Sequence, residues 1–272
     1  MLAPMYLSAS TLETATYTER LDAAAAGDYQ GIGLRPTHYK AARAQGLSDD
    51  AMRAMLDDRG LELTEIGFVA DWWATGEAAI RSQTYEEVLY RLKDTLGGRH
   101  MMLIGGPLTD PIDALAERFA GVCDRAAEHG LRVALEFLPW TDMRDAGIAW
   151  RIAELSGRKN GGLALDVWHH NRGSADDDLV RRIPADRVVT VQISDGERTP
   201  VGTDLEDTFR RRLLPGHGEF QVVEFIRLIE GMGVDAPIGT EVLSDEMRAL
   251  PATEVAKLGA DATRAVLAAA RA

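Results

Sequence analysis

The sequence predicts a (β/α)8 barrel built as one domain over residues 1–272, and three observations carry that prediction. Short apolar runs alternate with longer amphipathic ones along the whole chain. The alternation repeats eight times with no linker and no second composition regime. The first apolar run leads into Ser8-Ala-Ser-Thr-Leu-Glu13, which lacks the Gly-x-Gly-x-x-Gly that opens a dinucleotide-binding half. Strict alternation implies a parallel sheet with helical crossovers, and eight repeats at this length fit a closed barrel better than an open sheet.

Taken in order, the expected strands are 5–10, 31–35, 62–68, 100–106, 132–137, 162–168, 188–194 and 237–243. Each is a handful of residues rich in Val, Ile, Leu or Met, the composition of a strand buried on both faces. Between them, residues 17–27, 48–60, 85–97, 111–130, 146–157, 177–183, 220–233 and 253–270 carry apolar side chains at spacings of three and four, which predicts helices. Ser48 followed by two aspartates reads as a helix N-cap with an acidic first turn. Gly60, Gly130, Gly157 and Gly233 read as C-terminal stops. The alanine-rich end of the last helix, from Thr263, is expected to pack on the barrel or on a second copy of the chain, so a homo-oligomer is a possible partner state.

Composition narrows the function classes. Hydrophobic residues make up 46% of the chain, enough for a full core and too many for a disordered tail. Thirty Lys and Arg against forty-three Asp and Glu leave a formal charge of −13, a surface that repels phosphate backbones and anionic lipid. Neither nucleic acid nor membrane is therefore an expected partner. The lone Cys123 has no internal disulfide partner, as in a reducing compartment, and reads as core. No apolar run reaches the roughly 20 residues of a membrane helix, and Met1 to Tyr6 lacks the basic flank of a signal peptide. A cytoplasmic protein is the expectation.

In a barrel of this class the chemistry sits at the C-terminal ends of the strands. There the sequence places Glu136, Asp166, Gln192 and Glu241 at matched depth on strands five to eight. Singly, each carboxylate has an ordinary explanation as a salt-bridge partner for one of the many arginines. Together, three buried carboxylates without a cation would cost several kcal/mol per charge. A divalent ion offsets that charge, and the amide oxygen of Gln192 completes an all-oxygen set suited to Mn²⁺ or Mg²⁺, with Co²⁺ and Zn²⁺ as further candidates. His169, three residues beyond Asp166, is expected in the loop above the ion, within reach of a substrate hydroxyl. His217, in Pro215-Gly-His-Gly218, either lines the mouth or fills a turn. His38 is open between the two roles, and His100 and His129 read as structural. Trp72, Trp140 and Trp168, all near strand ends, offer flat walls for a sugar or cyclitol ring. Within Arg210-Arg-Arg212, one arginine is expected to reach over the pocket, and Arg212 is the choice.

These residues resemble the xylose isomerase-like barrels of AP endonuclease family 2, across nearly the whole chain and most strongly in its second half. The resemblance rests on Glu136 in Ala134-Leu-Glu-Phe, on Asp166-x-x-His169, on Pro215-Gly-His-Gly and on Glu241 in Thr240-Glu-Val. It implies one divalent metal held by the matching positions, with Glu136 and Glu241 doubling as acid and base. Most relatives place histidine where this chain has Gln192; the 3-dehydroshikimate dehydratases of the family use glutamine, and 241–251 is similar to their end. Those dehydratases carry an arginine after strand three for a substrate carboxylate, whereas Phe68-Val-Ala-Asp-Trp-Trp73 holds no cation. That departure favours a neutral polyol or keto sugar. The nuclease branch needs more histidines and a basic face.

The chemistry implied is proton abstraction next to a carbonyl, with a metal polarising that carbonyl and His169 orienting a substrate oxygen. Reprotonation of the enediolate gives isomerisation or epimerisation; loss of a β-hydroxyl gives dehydration. Two rivals stand beside it. A non-catalytic sugar-binding barrel predicts that part of the oxygen set is missing. An aldolase-like barrel needs a lysine at a strand end, and Lys40, Lys93, Lys159 and Lys257 all fall in helices or loops.

Overall fold

A computed structural model describes residues 4–272; Met1, Leu2 and Ala3, on which the signal-peptide reading partly rests, lie outside the described residues. Eight parallel strands close into a barrel in chain order: β1 Met5–Leu7, β2 Gly31–Leu34, β3 Glu62–Val69, β4 His100–Ile104, β5 Arg132–Glu136, β6 Gly161–Asp166, β7 Val188–Ile193 and β8 Ile238–Thr240. Closure is made by β1 against β8, with Tyr6 beside Gly239 and Leu7 beside Thr240. The helices are α1 Tyr17–Ala26, α2 Pro36–Ala44, α3 Asp49–Asp57, α4 Gly76–Leu96, α5 Ile112–Glu128, α6 Ala146–Leu155, α7 Val167–Arg172, α8 Asp177–Arg181, α9 Asp204–Arg210, α10 Val222–Gly231, α11 Asp245–Arg248 and α12 Ala252–Arg271. All eight expected strands and all eight expected helices are present.

The differences have local causes. Helix α4 begins nine residues before the expected Tyr85, because its first turns carry little apolar stripe and Ile80 is exposed. Helix α2 opens on Pro36, whose fixed φ suits a first helical position. The strand expected to run on to Trp168 stops at Asp166, whose carboxylate accepts the backbone N–H of Trp168 and caps α7. His169 therefore sits in a buried helical turn rather than a loop. Helices α9 and α11 lie in stretches too short and polar to carry a periodic signal. The last helix, α12, buries Val255, Ala260, Val266 and Leu267, and Thr263 Oγ1 meets Thr240 Oγ1 at 2.8 Å; that side packs on this barrel.

Strand alternation positions the site. Ala134, Ala164 and Met102 form a small interior cluster with Val189, and two residues further along β5 and β6, on the same inward face, stand Glu136 and Asp166. By the same count Gln192 stands two beyond Thr190, and Glu241 two beyond Gly239. Small side chains below thus leave a shelf on which the polar ones stand. The bulky floor comes from the other side: Tyr6 fits under the barrel axis only because Gly239 has no side chain, since a Cβ there would lie 2.4 Å from the phenol ring. His100 packs edge-on against Tyr6, with both ring nitrogens buried and unpartnered.

Candidate active site

At the C-terminal mouth a cavity of about 250 Å³ is lined by Glu65, Glu136, His169, Gln192, Arg212 and Glu241 at its base, and by Trp140, Phe68, Leu205 and Phe209 nearer the rim. A depression of about 380 Å³ beside α9 is shallower in chemistry: it is lined by charged surface side chains and contains none of the sequence-selected residues.

Arg212 is central to the base. Its segment is sewn between the ends of two strands: Asp195 and Leu213 exchange backbone hydrogen bonds of 2.9 and 2.8 Å, and Arg212 N donates to Leu243 O. That extended pairing turns Arg212 inward. The guanidinium, 2% exposed, has Nη1 at 2.8 Å from Asp166 Oδ2 and 3.2 Å from Glu241 Oε2. Trp168 lies beneath it, with the Arg212 guanidinium carbon 5.2 Å from the indole centre. Arg212 is thus a buried counter-ion inside the site, not an arm reaching over it.

His169 Nε2 lies 3.4 Å from Asp166 Oδ2 and 3.6 Å from Glu136 Oε1. Burial, with the Arg212 charge, pushes its pKa well below the usual imidazole range, so the ring is neutral. Glu136 is pushed the other way, well above the usual carboxylate range, by burial first and then by the charges of Glu241 and Asp166. Three donors converge on Glu241: Ser8 Oγ at 2.7 Å, Gln192 Nε2 at 3.2 Å and Arg212. The two glutamates are therefore in unlike environments.

A fourth acid, Glu65, stands on β3 beside them. It accepts from Tyr6 Oη at 3.0 Å, Ser8 Oγ at 3.2 Å, Ala9 N at 3.0 Å and Gln192 Nε2 at 3.1 Å. Burial and the Glu241 charge push it up to about 7, against the pull of those donors. The sequence reading passed over Glu65 because it lies inside a strand rather than at its end. Its signal was present: a carboxylate in the middle of a strand buried on both faces has no place without partners.

The donor set fits a divalent cation. Glu136, Asp166 and His169 offer ligand atoms within 4.8 Å of one another. Four buried carboxylates face one buried guanidinium. The Oε1 of Gln192 and the Nδ1 of His169 are buried without a hydrogen-bond partner. The compact trio includes His169, which the sequence assigned to proton handling, while Glu241 is drawn toward Ser8, Gln192 and Arg212.

Three expected substrate contacts do not reach the cavity. Trp72 donates its indole N–H to Ile104 O at 2.9 Å and packs edge-on against Phe119, as core. Trp168 is fully buried, bonded to Thr208 Oγ1 and covered by Arg172 and Arg212. His217 is exposed on a turn that Asp195 ties down by accepting from Gly216 N and Phe220 N, and it does not line the cavity. Trp140 does line the cavity, edge-on to His169 at 5.3 Å. His38 is likewise outside, bonded to Arg20 and to Arg35 N.

The rim also corrects an expected absence. The stretch after β3 holds no cation, yet Arg35 at the end of β2 lines the same cavity. Its guanidinium lies over the Phe68 ring at 5.2 Å, donates to Ser10 Oγ at 2.8 Å, and among the described residues has only the half-exposed Glu13 as counter-ion, at 3.9 Å. Leu205 and Phe209, at i and i+4 on α9, supply an apolar wall that the sequence reading did not foresee. None of the four lysines lines the cavity.

Comparison with known proteins agrees with this architecture. The chain is 25% identical over 244 residues to a 3-dehydroshikimate dehydratase of Pseudomonas aeruginosa, a match covering 87% of this chain and 37% of that one. It is 31% identical over 141 residues to an inosose isomerase of Halalkalibacterium halodurans, covering 51% of this chain and 49% of the isomerase. The match thus spans half or less of the length of each of these two relatives. In fold it superposes on the IOLI protein solved with a bound zinc atom, with a TM-score of 0.87 at 18% identity, covering 97% of this chain and 98% of that one. No helix among the described residues is long and apolar enough to cross a membrane. Residues 21–266 match the xylose isomerase-like TIM barrel family, and the chain belongs to it.

Proposed function

We propose that this chain is a divalent-metal-dependent isomerase or epimerase acting on a keto sugar or cyclitol by proton abstraction next to the carbonyl. The observation that carries the reading is the unlike setting of two glutamates across one small cavity: Glu241 with three donors, Glu136 with His169 alone at 3.6 Å. Two carboxyl groups whose surroundings differ in this way suit opposite roles in proton transfer. A divalent ion held by Glu136, Asp166, Glu241 and the Gln192 oxygen, with His169 beside it, supplies Lewis-acid polarisation of the carbonyl when bound.

The protein groups then divide the work. Glu241 takes the proton from the carbon next to the carbonyl, and Ser8 on Oε1 with Arg212 on Oε2 holds that carboxylate in place. Glu136 carries the proton delivered to the other face. The neutral His169 donates to or accepts from a substrate oxygen, and Trp140 with Phe209 covers the ring and excludes water. A cavity of about 250 Å³ suits one monocyclic substrate. The named activities of the relatives, a dehydratase and an isomerase, both fit the same enediolate.

A second reading, dehydration of an acidic cyclohexene by loss of a β-hydroxyl, is favoured by Arg35, which gives the rim a guanidinium able to pair with a carboxylate. The two readings separate in one assay. Metal-loaded protein is incubated in D₂O with inososes, keto sugars and 3-dehydroshikimate. Deuterium at the α-carbon with ring hydroxyls retained supports the first. Water loss from the acid alone, with KM raised roughly tenfold or more in Arg35→Leu, supports the second. No exchange on any of them, with no metal retained, leaves a sugar-binding barrel as the better description.

A further inference from the structure

Glutamine is an ambiguous metal ligand, because its amide presents an oxygen on one side and an NH₂ on the other, and only the oxygen coordinates. Something in the fold must decide which end faces the ion. In this barrel Gln192 Nε2 points at two carboxylates, Glu65 Oε2 at 3.1 Å and Glu241 Oε1 at 3.2 Å, and the carbonyl oxygen is left buried with no donor. The reverse orientation would set the amide oxygen against both carboxylates and leave the NH₂ without acceptors.

Glu241 alone does not settle the matter, since it is itself a candidate ligand whose oxygens an ion would claim. Glu65 stands apart from the compact Glu136–Asp166–His169 trio and is locked by its other partners. The backbone N–H of Ala9 is a fixed donor to Oε1, and Tyr6 Oη donates to Oε2 while touching Thr190 Oγ1 at 2.9 Å. With Oε1 committed to the fixed Ala9 N–H, Oε2 is the acceptor turned to Gln192.

We infer that Glu65 is a positioning residue for the metal centre: through its hydrogen bond from Gln192 Nε2 it holds the amide with its oxygen toward the ion, which lets glutamine serve as a ligand. The inference rests on the metal-dependent reading above. It also explains a carboxylate inside β3 that the proton transfers do not use.

The test is Mn²⁺ binding to metal-free protein by titration calorimetry, with Mn²⁺ alone as the probe. In Glu65→Gln the new amide must turn its oxygen to the fixed Ala9 N–H, so its NH₂ faces Gln192 and drives that amide to reverse. Mn²⁺ affinity is expected to fall about 10- to 100-fold, the usual cost of losing a group that orients a ligand. The exchanged pair, Glu65→Gln with Gln192→Glu, again sets an NH₂ against an acceptor and an oxygen toward the ion, and is expected to regain at least tenfold. Circular dichroism and melting establish that each variant folds; should Glu65→Gln not fold, Glu65→Asp withdraws the acceptor by one methylene and is expected to weaken binding too. Wild-type affinity in the folded Glu65→Gln protein, or an exchanged pair no tighter than the single variant, overturns the inference. A wild type that takes up no Mn²⁺ overturns the metal-dependent reading itself, an outcome visible before any variant is compared.

Discussion

The two halves of the barrel do different work at the same cavity. Glu136, Asp166, Gln192 and Glu241 stand within one residue of the C-terminal ends of β5 to β8, one polar group per strand. Strands β1 to β4 place no carboxylate there; Ser8, level with Glu241 in the register of β1 against β8, is their polar group at that height. They contribute Ser8 and Arg35 just past strand ends, Glu65 one layer lower, and Gly67, Met102 and Ile104 as an apolar wall. On the proposed function, one half would present groups to a ligand, and the other hydrogen-bonds to those groups. On the same reading, the carboxylates and the amide of the second half carry the chemistry, and their hydrogen-bond partners from the first half support it.

Substitutions on the two sides should break this comparison in different currencies. Glu136→Gln and Glu241→Gln are expected to lower α-proton exchange by about 10²–10⁴-fold, the range for removal of a general acid or base, with the fold retained; exchange into D₂O followed by NMR measures it. Asp166→Asn strips Arg212 of its closest partner, and breaking a buried ion pair costs about 3–5 kcal/mol, a drop in Tm of roughly 10 °C or more by calorimetry. A smaller effect belongs to the floor. His100 is held down to about 3 by burial, ahead of the charges of Arg99 and Arg132. Its folded pKa is depressed below the unfolded value near 6.5, so the stability is present above pH 6.5 and is lost progressively as pH falls toward 3. Melting temperatures should therefore decline across that window, and His100→Leu should flatten the decline by a few degrees. Smallest is His217→Ala, expected to change exchange rates less than about twofold, since the imidazole lies outside the cavity; a larger change would move the mouth of the site.

The division also explains what could be read from the sequence. Strand periodicity and strand-end position made Glu136, Asp166, Gln192 and Glu241 legible, because both depend only on counting along one strand. Glu65 was not legible that way: its hydrogen-bond partners come from β1 and β7, far away in the chain. The same holds for Arg35, which lines the cavity from just past β2, whereas the family resemblance points to a cation after β3. The tryptophans failed for another reason. Lying near a strand end says nothing about which side of the sheet a ring takes, and Trp72 and Trp168 turned to the core while Trp140 did not. Helix α9 was hidden because seven residues give too few turns for a stripe.

Gly33 on β2 is hemmed in by a side chain and by main chain. A methyl group on it would lie 2.5 Å from Glu65 Oε1 and 2.5 Å from Ala9 N. Position 33 is therefore closed from two sides: trimming residue 65 would remove one obstacle, but the Ala9 main chain would still stand in the way of a side chain. Bareness at this position is inherited with the path of the backbone after β1, not with the identity of any one side chain.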